Sequence, residues 1–550
     1  MKLYLQKGPV VIELTNDYLY VLLGIGGLSG ATALSDSFAF AAPVAAPDLT
    51  KCGAADLPTG AKPVNCCPPT DIKIVDFKFP PPQTRIRIRP AAHKLSDAYT
   101  AKFSRAMELM RSLPGDDPRS FMQQASVHCA YCNGAYHQVG FPDLDLQIHN
   151  SWLFFPFHRW YLYFFERTLG KLINDPSFAM PFWNWDAIPG MKMPADYISL
   201  GSPLYNSFRN RSHVPPTLLD LDYSSKKTPI TDPSKLYASN FALMYRQMVT
   251  SSKTNTLFFG AAYRAGGDPD PGAGTIETTP HTQLHIWTGD PTQPNGEDMG
   301  NFYSAGRDPL FYAHHSNVDR MWNIWKKLDK KHKDISDGDW LDSTFLFYDE
   351  NKNLVRVKVR DCLDTRKLGY DFQDVDIPWL KAKPTPKRSS KKVAMKAFGQ
   401  TKAAFAAETK KKLTPLTAFP LVLDKVVSAK VARPKKSRSS EEKEVEEEVL
   451  VIEGIKLKRE VSAKFDVFIN DEDETNTTPD NTEFAGSFVN VPHKHKGMNT
   501  MTTCLRLGIT ELLEDLGADD DDELVVTLVP RSGEGLITVG GIKTELLQNL

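Results

Sequence analysis

The chain has 550 residues, 41% of them hydrophobic and 10% aromatic. A chain of this size can bury a large core, divided among about two to four domains. Its formal net charge of −1 excludes the strongly basic surface that binds nucleic acid or an anionic membrane, so we expect small-molecule partners. Five of the seven cysteines lie before residue 133, which indicates disulfides in an oxidising compartment, with free thiols as the alternative.

The amino terminus carries a short apolar run at residues 21–28, followed by small residues at 39–41. The run is too short and too rich in glycine to span a bilayer, and the small residues are typical of a cleavage site. Residues 1–41 are therefore interpreted as a targeting segment that is removed, without stable membrane insertion.

Residues 42–380 are rich in aromatic residues and carry most of the histidines, and we interpret them as a mainly α catalytic domain. Helical periodicity is visible over residues 96–111, and Pro156 and Gly170 frame a second helix. Residues 381–415 are interpreted as a linker, because residues 381–396 include seven basic residues and no aromatic one. Short β-branched runs between polar turns predict a β-sandwich over residues 416–550. The acidic runs at 441–448 and 519–523 are expected to form solvated loops.

One group of histidines follows a helical spacing. His281 and His285 are four residues apart, so on a helix both imidazoles lie on one face and can bind one metal ion. The intervening Thr-Gln-Leu does not fit the HExxH pattern, which disfavours zinc hydrolysis. His315 would supply a third nitrogen, with Asp319 one turn later placed to orient an imidazole. His314 would point about 100° away along the helix and is given no ligand role.

A second group needs a break in the helix. His149 and His158 are nine residues apart and would lie on opposite faces of one continuous helix. Pro156 would start a new helix, leaving His149 on the preceding turn and free to approach His158. His128 is the nearest candidate for the third ligand, and His137 is a weaker one. Three plus three histidines therefore predict a dinuclear metal site.

The donor set favours copper. Copper has the highest affinity for nitrogen sites among the divalent first-row metals, although zinc and iron remain chemically allowed. A redox role favours copper further, because zinc does not change oxidation state and non-haem iron oxygenases usually include a carboxylate ligand.

At these residues the chain resembles the tyrosinase superfamily of binuclear copper proteins, and specifically the plant polyphenol oxidases known as catechol oxidases. The similarity covers residues 128–166, residues 281–322, Asp339-Trp340-Leu341 and Lys464-Phe465-Asp466-Val467. It implies a four-helix bundle around two copper ions and a carboxy-terminal shielding domain. The ligands it implies are His128, His149 and His158 for one copper, and His281, His285 and His315 for the other.

The resemblance also assigns roles to the cysteines. It implies a thioether between Cys132 and His149, which would fix that imidazole on its turn. It further implies two disulfides, Cys52 with Cys67 and Cys66 with Cys129, and leaves Cys362 and Cys504 free.

Three further residues take roles from the same resemblance. Phe302 matches an aromatic residue that lies over one copper, and Glu277 matches a glutamate that holds water and can accept a substrate proton. Core packing or surface exposure is the alternative for both. Thr282 stands where many strongly monophenol-hydroxylating relatives have asparagine, which points to diphenol oxidation and leaves weak monophenol hydroxylation open.

The implied activity is oxidation of ortho-diphenols to ortho-quinones with reduction of O2 to water. The family also implies latency until a protease removes or displaces the carboxy-terminal domain, for which residues 435–438 offer a basic cleavage region. Chloroplast import to the thylakoid lumen is implied as well, although residues 1–20 contain one threonine, no serine and no arginine, unlike a plastid transit peptide. An oxygen carrier, a zinc hydrolase and a copper-storage protein are the alternatives.

A second, smaller cluster lies near the carboxy terminus. His493 and His495 have three sulfur-containing residues nearby, Met498, Met501 and Cys504. Thioethers and thiols suit Cu(I), so this segment could hand copper to the site, a minor alternative to a purely structural role.

Overall fold

A computed structural model describes residues 42–69, 73–81, 86–224, 229–387, 413–471, 477–495 and 497–548. The expected targeting segment, residues 1–41, and most of the expected linker, residues 388–412, lie outside the described residues. A helical region precedes the undescribed linker and a β-rich region follows it, which confirms the expected fold class. Among the described residues, no helix combines the length and apolar character needed to cross a bilayer.

The described part of the helical region contains ten α-helices. The helix expected over residues 96–111 begins one residue later, because Ser96 is its N-cap and accepts a hydrogen bond from the Tyr99 backbone N–H at 3.3 Å. In chain order the helices are α1 (Asp97–Ser112), α2 (Phe121–Cys132), α3 (Phe154–Leu172), α4 (Ala195–Ile198), α5 (Pro233–Tyr245), α6 (Asn255–Phe259), α7 (Thr282–Thr288), α8 (Phe302–Ala305), α9 (Pro309–Leu328) and α10 (Gly338–Asp342).

Helix α3 runs through the centre of this region. It begins at Phe154, two residues before the expected start at Pro156, and continues past Gly170. The proline is tolerated because backbone N–H groups in the first helical turn have no partner within the helix. His149 lies on the turn before the helix, as expected. Nearly all side chains of α3 up to Gly170 are buried, so this helix cannot carry an exposed site.

Helix α9 packs against α3. Asp308 caps it by accepting a hydrogen bond from the Leu310 backbone N–H at 2.8 Å, and Pro309 occupies the first helical position. Most residues from Pro309 to Trp325 are buried. Side chains that face one another between α3 and α9 therefore lie in the interior of the domain.

Small sheets and two disulfides brace the helices. Disulfides join Cys52 to Cys67 and Cys66 to Cys129, so the extended amino-terminal segment is tied to α2. The sheets pair β1 (Ile74–Asp76) and β5 (Thr344–Tyr348) with β6 (Leu354–Lys358), β2 (Arg87–Arg89) with β7 (Tyr370–Phe372), and β3 (His137–Gln138) with β4 (Phe141–Asp145).

The carboxy-terminal domain consists of two antiparallel sheets. Their inner faces share a hydrophobic core of their own, which is the arrangement of a β-sandwich. The strands are β8 (Leu421–Val422), β9 (Val427–Ala432), β10 (Glu446–Lys458), β11 (Ala463–Ile469), β12 (Phe484–Asn490), β13 (Thr500–Gly508), β14 (Glu523–Ser532), β15 (Thr538–Val539) and β16 (Gly541–Gln548). One sheet has the order β13-β10-β15-β8, with β16 also paired to β10, and the other has the order β12-β11-β14-β9.

One acidic run differs from the expected solvated loop. Ser439 caps a short helix, α11 (Ser440–Val445), and the run then enters β10, where Glu447 and Glu448 are buried. Arg433 holds the Glu448 carboxylate at 2.8 Å, so a residue distant in sequence compensates the buried charge. The sequence pattern therefore hides both a helix and the start of a long strand. A second short helix, α12 (Thr510–Asp515), follows β13.

Buried ion pairs join the two domains. Lys464 of the Lys-Phe-Asp-Val motif contacts Asp222 at 2.6 Å, and Arg459 contacts Asp270 at 2.6 Å. In both pairs the carboxy-terminal domain supplies the cation and the helical domain supplies the carboxylate. Buried pairs of this kind fix the relative position of two surfaces, because each charge needs its partner once water is excluded.

Candidate metal centre

The first histidine cluster is built by three separate elements. His128 lies in α2, His149 lies on the turn before α3, and His158 lies in the first turns of α3. All three side chains are buried, and one ring nitrogen from each lies within 4.8 Å of the others. The break before α3 allows two histidines nine residues apart to converge.

The second cluster comes from α7, the irregular turn before it, and α9. His281 ends that turn, His285 lies in α7, and His315 lies in the middle of α9. Their ring nitrogens lie within 4.8 Å of one another. The rings of His158 and His315 stack with centroids 4.1 Å apart, so the two clusters adjoin.

His314 departs from the expectation that it points away. One of its ring nitrogens lies within 4.8 Å of those of the second cluster, and its ring stacks on His281 with centroids 5.3 Å apart. Consecutive positions on α9 do diverge, but His281 precedes α7 and reaches the direction that His314 faces. The doublet of adjacent histidines was the signal for this fourth member.

Hydrogen bonds orient most of these rings. The Nδ1 atoms of four histidines lie on backbone carbonyl oxygens: His128 on Phe302 (2.8 Å), His158 on Phe154 (2.8 Å), His281 on Glu277 (3.1 Å) and His285 on Met299 (2.8 Å). A carbonyl oxygen has no proton to donate, so Nδ1 carries the proton in each of these rings and Nε2 is left with a lone pair. These four imidazoles are thus prepared as Nε2 ligands.

Burial also keeps the imidazoles neutral. It lowers the pKa of His128 to about 3 and the pKa of His285 to about 4. It lowers the pKa of His149, His158 and His315 well below the usual value, and the neighbouring imidazoles add to this effect. Neutral imidazole is the form that binds a metal ion.

Several buried histidine nitrogen atoms of the site lack a hydrogen-bond partner and could bind a metal ion. The buried Nε2 atoms of His128, His149, His158 and His281 have no hydrogen-bond partner. A buried polar atom without a partner is costly, and a bound cation would remove that cost. Neither cluster includes a carboxylate oxygen or a thiolate. All-imidazole sites suit copper better than magnesium or calcium.

Cys132, the expected thioether partner of His149, lies at the carboxy-terminal end of α2 and forms no disulfide. It is fully buried, and burial raises the pKa of its thiol. Its carbonyl oxygen accepts a hydrogen bond from Gln147 Nε2 at 3.4 Å, two residues before His149. The two ends of the expected thioether therefore belong to segments that contact each other.

Phe302 lies beside the first cluster. Its ring stacks on His149 with centroids 4.1 Å apart and an interplanar angle of 23°. It also stacks on His493 of the carboxy-terminal domain with centroids 5.0 Å apart. The Phe302 backbone N–H donates to the Pro492 carbonyl at 3.3 Å. The segment around Pro492 thus covers this side of the site.

Glu277 is buried next to the clusters. Its Oε1 accepts a hydrogen bond from the Asn150 backbone N–H at 2.6 Å, while its buried Oε2 has no partner. Burial raises the pKa of this carboxyl well above its ordinary value, and the nearby Asp270 carboxylate adds to the rise. The Thr282 hydroxyl donates to the Glu277 carbonyl at 2.8 Å, so it is turned toward the backbone.

Asp319 serves arginines and a tyrosine. Its carboxylate contacts Arg159 Nε at 2.5 Å and Arg89 Nη1 at 2.9 Å, and it accepts a hydrogen bond from the Tyr370 hydroxyl at 2.6 Å. Arg159 follows His158 on α3, and Asp319 lies one turn after His315 on α9. The carboxylate therefore acts on the imidazoles by clamping the two helices that carry them.

The remaining histidine and cysteine candidates have other partners. His495 Nδ1 lies 2.9 Å from the Asp145 carboxylate and His495 Nε2 lies 3.0 Å from Gln147 Nε2, while His137 contacts the same Asp145 at 2.9 Å. The Cys504 thiol donates to the Pro271 carbonyl at 3.2 Å. The copper hand-off considered for His495 and Cys504 would require breaking these bonds.

Comparison with known proteins gives matches along most of the chain. Residues 118–328 match the common central domain of tyrosinase, residues 334–385 the polyphenol oxidase middle domain, and residues 419–546 the chloroplastic polyphenol oxidase C-terminal domain. A chloroplastic polyphenol oxidase of Malus domestica is 61% identical over 531 residues, covering 96% of this chain and 88% of that protein. The aureusidin synthase of Antirrhinum majus is 56% identical, covering 92% of this chain and 89% of that one.

Two solved structures match different lengths of this chain. The structure of a latent apple tyrosinase matches with a TM-score of 0.80 at 59% identity, and the match covers 86% of this chain and all of that chain. The Grenache (Vitis vinifera) polyphenol oxidase matches with a TM-score of 0.60 at 57% identity, and the match covers 62% of this chain and all of that one.

Proposed function

Because the chain belongs to the plant polyphenol oxidases of the tyrosinase family, a family of copper oxidoreductases, we propose that it oxidises ortho-diphenols to ortho-quinones. In the proposed reaction, two diphenols each give up two electrons and two protons, and one O2 takes up all of them to form two water molecules. The observation that carries this proposal is the pair of adjoining, buried histidine clusters with unpaired Nε2 atoms.

The histidines would hold one copper ion in each cluster. The proposed ligands are His128, His149 and His158 in the first cluster and His281, His285 and His315 in the second. Copper, when bound, would carry electrons from the diphenol to O2. The carbonyl contacts of four Nδ1 atoms would orient the ligand rings, and the proposed Cys132–His149 thioether would fix a ring that lies outside any helix.

Two residues would act on the substrate. Glu277 is proposed to accept a phenolic proton at its unpaired Oε2, and burial makes that carboxylate a stronger base than an exposed one. Phe302 would restrict access from the side of His149, on which its ring stacks. Thr282, whose hydroxyl is bonded to the Glu277 carbonyl, supports diphenol oxidation over monophenol hydroxylation.

The carboxy-terminal domain is proposed to keep the enzyme latent, since its residues around Pro492 cover Phe302. Residues 435–438 suit the activating cut less well than expected, because they connect β9 to α11, so a cut there would divide the carboxy-terminal domain instead of freeing it. A protease that frees the whole domain would cut between residues 387 and 421.

The relatives' chloroplastic names support a plastid location, and we propose the thylakoid lumen.

Copper content and oxygen uptake together test this function. The copper-loaded full chain should consume little O2 with catechol, and the same sample should consume far more after the linker is cut and the carboxy-terminal domain removed. Tyrosine should be a poor substrate in both states. Glu277→Gln should keep its copper and lose about 10² or more in kcat. A protein that binds two copper ions and never consumes O2 with catechol would contradict the proposal.

A further inference from the structure

Asp270 is a fully buried carboxylate at the junction of the two domains. Its Oδ2 accepts two hydrogen bonds from the Arg459 guanidinium, from Nη2 at 2.6 Å and from Nε at 3.1 Å. Its Oδ1 accepts one from the Asn150 side-chain amide at 3.0 Å. Arg459 directly follows β10, so a carboxy-terminal side chain occupies a cation site on the helical domain.

This cation site borders the histidine clusters. Asn150 follows His149 in the chain, and its backbone N–H is the donor to Glu277. His493 Nε2 lies 4.0 Å from Asp270 Oδ2 and is a buried nitrogen without a hydrogen-bond partner. The His493 ring stacks on Phe302, whose ring stacks in turn on His149. Asn150 therefore connects Asp270 to Glu277, and His493 lies between Asp270 and Phe302.

The partners of Asp270 divide unequally between the domains. Asn150, which holds Oδ1, belongs to the helical domain and would stay in place when the carboxy-terminal domain leaves. Arg459 and His493, which face Oδ2, would leave with that domain. The activated enzyme would then present an oriented carboxylate with one unoccupied oxygen, facing the space that His493 had filled between Asp270 and Phe302. Such a group attracts an ammonium or guanidinium group in place of Arg459.

We infer that Asp270 forms a substrate subsite that selects catechols with a positively charged side chain, such as an aminoalkyl group. The inference rests on the proposed diphenol oxidation, because the catechol ring must lie at the histidine clusters while its cation reaches Asp270. In the latent chain Arg459 fills the subsite, so the domain that covers the ring position also occupies the charge position. Neutral catechols would bind without using Asp270, and anionic catechols would be repelled by it.

Asp222 offers a matched control. It also pairs with a carboxy-terminal cation, Lys464, at 2.6 Å, and it would also lose that partner on activation. Asp270 also contacts Asn150, which follows His149, whereas Lys464 lies in the Lys-Phe-Asp-Val motif of the carboxy-terminal domain. Loss of charge at Asp222 should therefore leave substrate preference unchanged, although both substitutions remove one buried interdomain ion pair.

The experiment compares three catechols in the activated enzyme. The copper-loaded full chain is cut in the linker, the carboxy-terminal domain is removed, and kcat/KM is measured for dopamine, 4-methylcatechol and 3,4-dihydroxyphenylpropionate. Asp270→Asn, which preserves side-chain shape, should lower kcat/KM for dopamine about tenfold, because a charge-assisted hydrogen bond becomes a neutral one. It should leave 4-methylcatechol unchanged and raise the value for the propionate. Asp222→Asn should match the wild type with all three.

A second measurement needs no variant. Benzylammonium should inhibit oxidation of 4-methylcatechol by the activated wild type at about a tenth of the concentration that benzyl alcohol requires. Equal inhibition by the two compounds, or an unchanged ratio of dopamine to 4-methylcatechol in Asp270→Asn, would overturn the subsite. Absence of oxidation of all three catechols by the wild type would instead overturn the proposed function.

Discussion

The imidazole of His493 stacks on the ring of Phe302, with centroids 5.0 Å apart and an interplanar angle of 23°. Phe302 stacks in the same way on His149, so a carboxy-terminal residue reaches the candidate metal centre through one aromatic ring. Together with the Pro492–Phe302 backbone hydrogen bond, this contact places the carboxy-terminal domain over Phe302.

The first prediction concerns this contact. His493→Ala in the uncut chain should raise its catechol oxidation about two- to tenfold, because an aromatic pair contributes about 0.5–1.5 kcal/mol to holding the domain in place. Activity after the carboxy-terminal domain is removed should stay the same. Lys494→Ala is the control, since Lys494 is partly exposed and lies 3.9 Å from Glu460 within the same domain. Equal effects of the two variants would show that the stacking does not maintain latency.

The second prediction concerns acid. Two states are compared: a closed form, in which the carboxy-terminal domain covers the site, and a released form, in which it has moved away. Burial lowers the pKa of His495, against the opposing effect of Asp145, so the closed form holds this imidazole neutral. The released form has an ordinary pKa of about 6.5 and binds a proton below that pH. Protonation of His495 therefore favours release of the carboxy-terminal domain as pH falls below about 6.5. His495→Gln should reduce acid activation, measured as the activity of the uncut chain divided by that of the cut enzyme at each pH.

Glu447 should act in the opposite direction. This buried residue of β10 lies 3.9 Å from Lys253 of the helical domain, and burial raises its pKa to about 7. Between about pH 4.3, the ordinary pKa of glutamate, and pH 7, Glu447 is protonated in the closed form and ionised in the released form. Rising pH in this range therefore favours release of the carboxy-terminal domain. Glu447→Gln should make acid activation steeper. Parallel pH curves for wild type and both variants would contradict this assignment.

The third prediction separates the adjacent histidines of α9. His315→Ala should remove the second copper and nearly all turnover, as should His285→Ala, because each removes a ligand nitrogen. His314→Ala should retain two copper ions per chain, since the proposed set already provides three nitrogens for that ion. Metal analysis of the purified variants decides between them, with His93→Ala as a control outside both clusters. If His314→Ala lost one copper ion and His315→Ala kept both, His314 and not His315 would be the third ligand.

The fourth prediction concerns the clamp between α3 and α9. Asp319→Asn leaves Arg159 and Arg89 without their shared buried carboxylate and should cost about 3–5 kcal/mol of unfolding free energy. Glu108→Gln, which removes an exposed pair with Arg105 on α1, should cost only about 0.2–0.5 kcal/mol. Denaturant unfolding of the copper-loaded chain measures both. Similar losses in the two variants would argue against a buried clamp.

Local spacing predicted much of the candidate site. The four-residue separation of His281 and His285 predicted that both rings can reach one metal ion, and Pro156 predicted a break between His149 and His158, although α3 begins two residues before the proline. Spacing along the chain does not predict contacts between distant elements. His314 joins the second cluster because His281 reaches it from another element.

The fold shows the same division. Continuous β-branched runs predicted the sandwich, whereas β13 contains no such run, because its buried residues alternate with threonine and arginine. The buried start of β10 was missed because Glu448 is compensated by Arg433, 15 residues earlier in the chain, and because burial raises the pKa of Glu447 to about 7. Contacts between the domains, such as Arg459 with Asp270, carry no local sequence signal at all.

The ratio of quinone formed to O2 consumed tests the central claim most directly. It should be measured on the copper-loaded enzyme after removal of the carboxy-terminal domain, with catechol in excess. The account predicts two quinones for each O2, sustained over many turnovers and lost when a chelator removes the copper. Reversible uptake of O2 without quinone, as expected of an oxygen carrier, or undiminished turnover after the copper is removed, would contradict it.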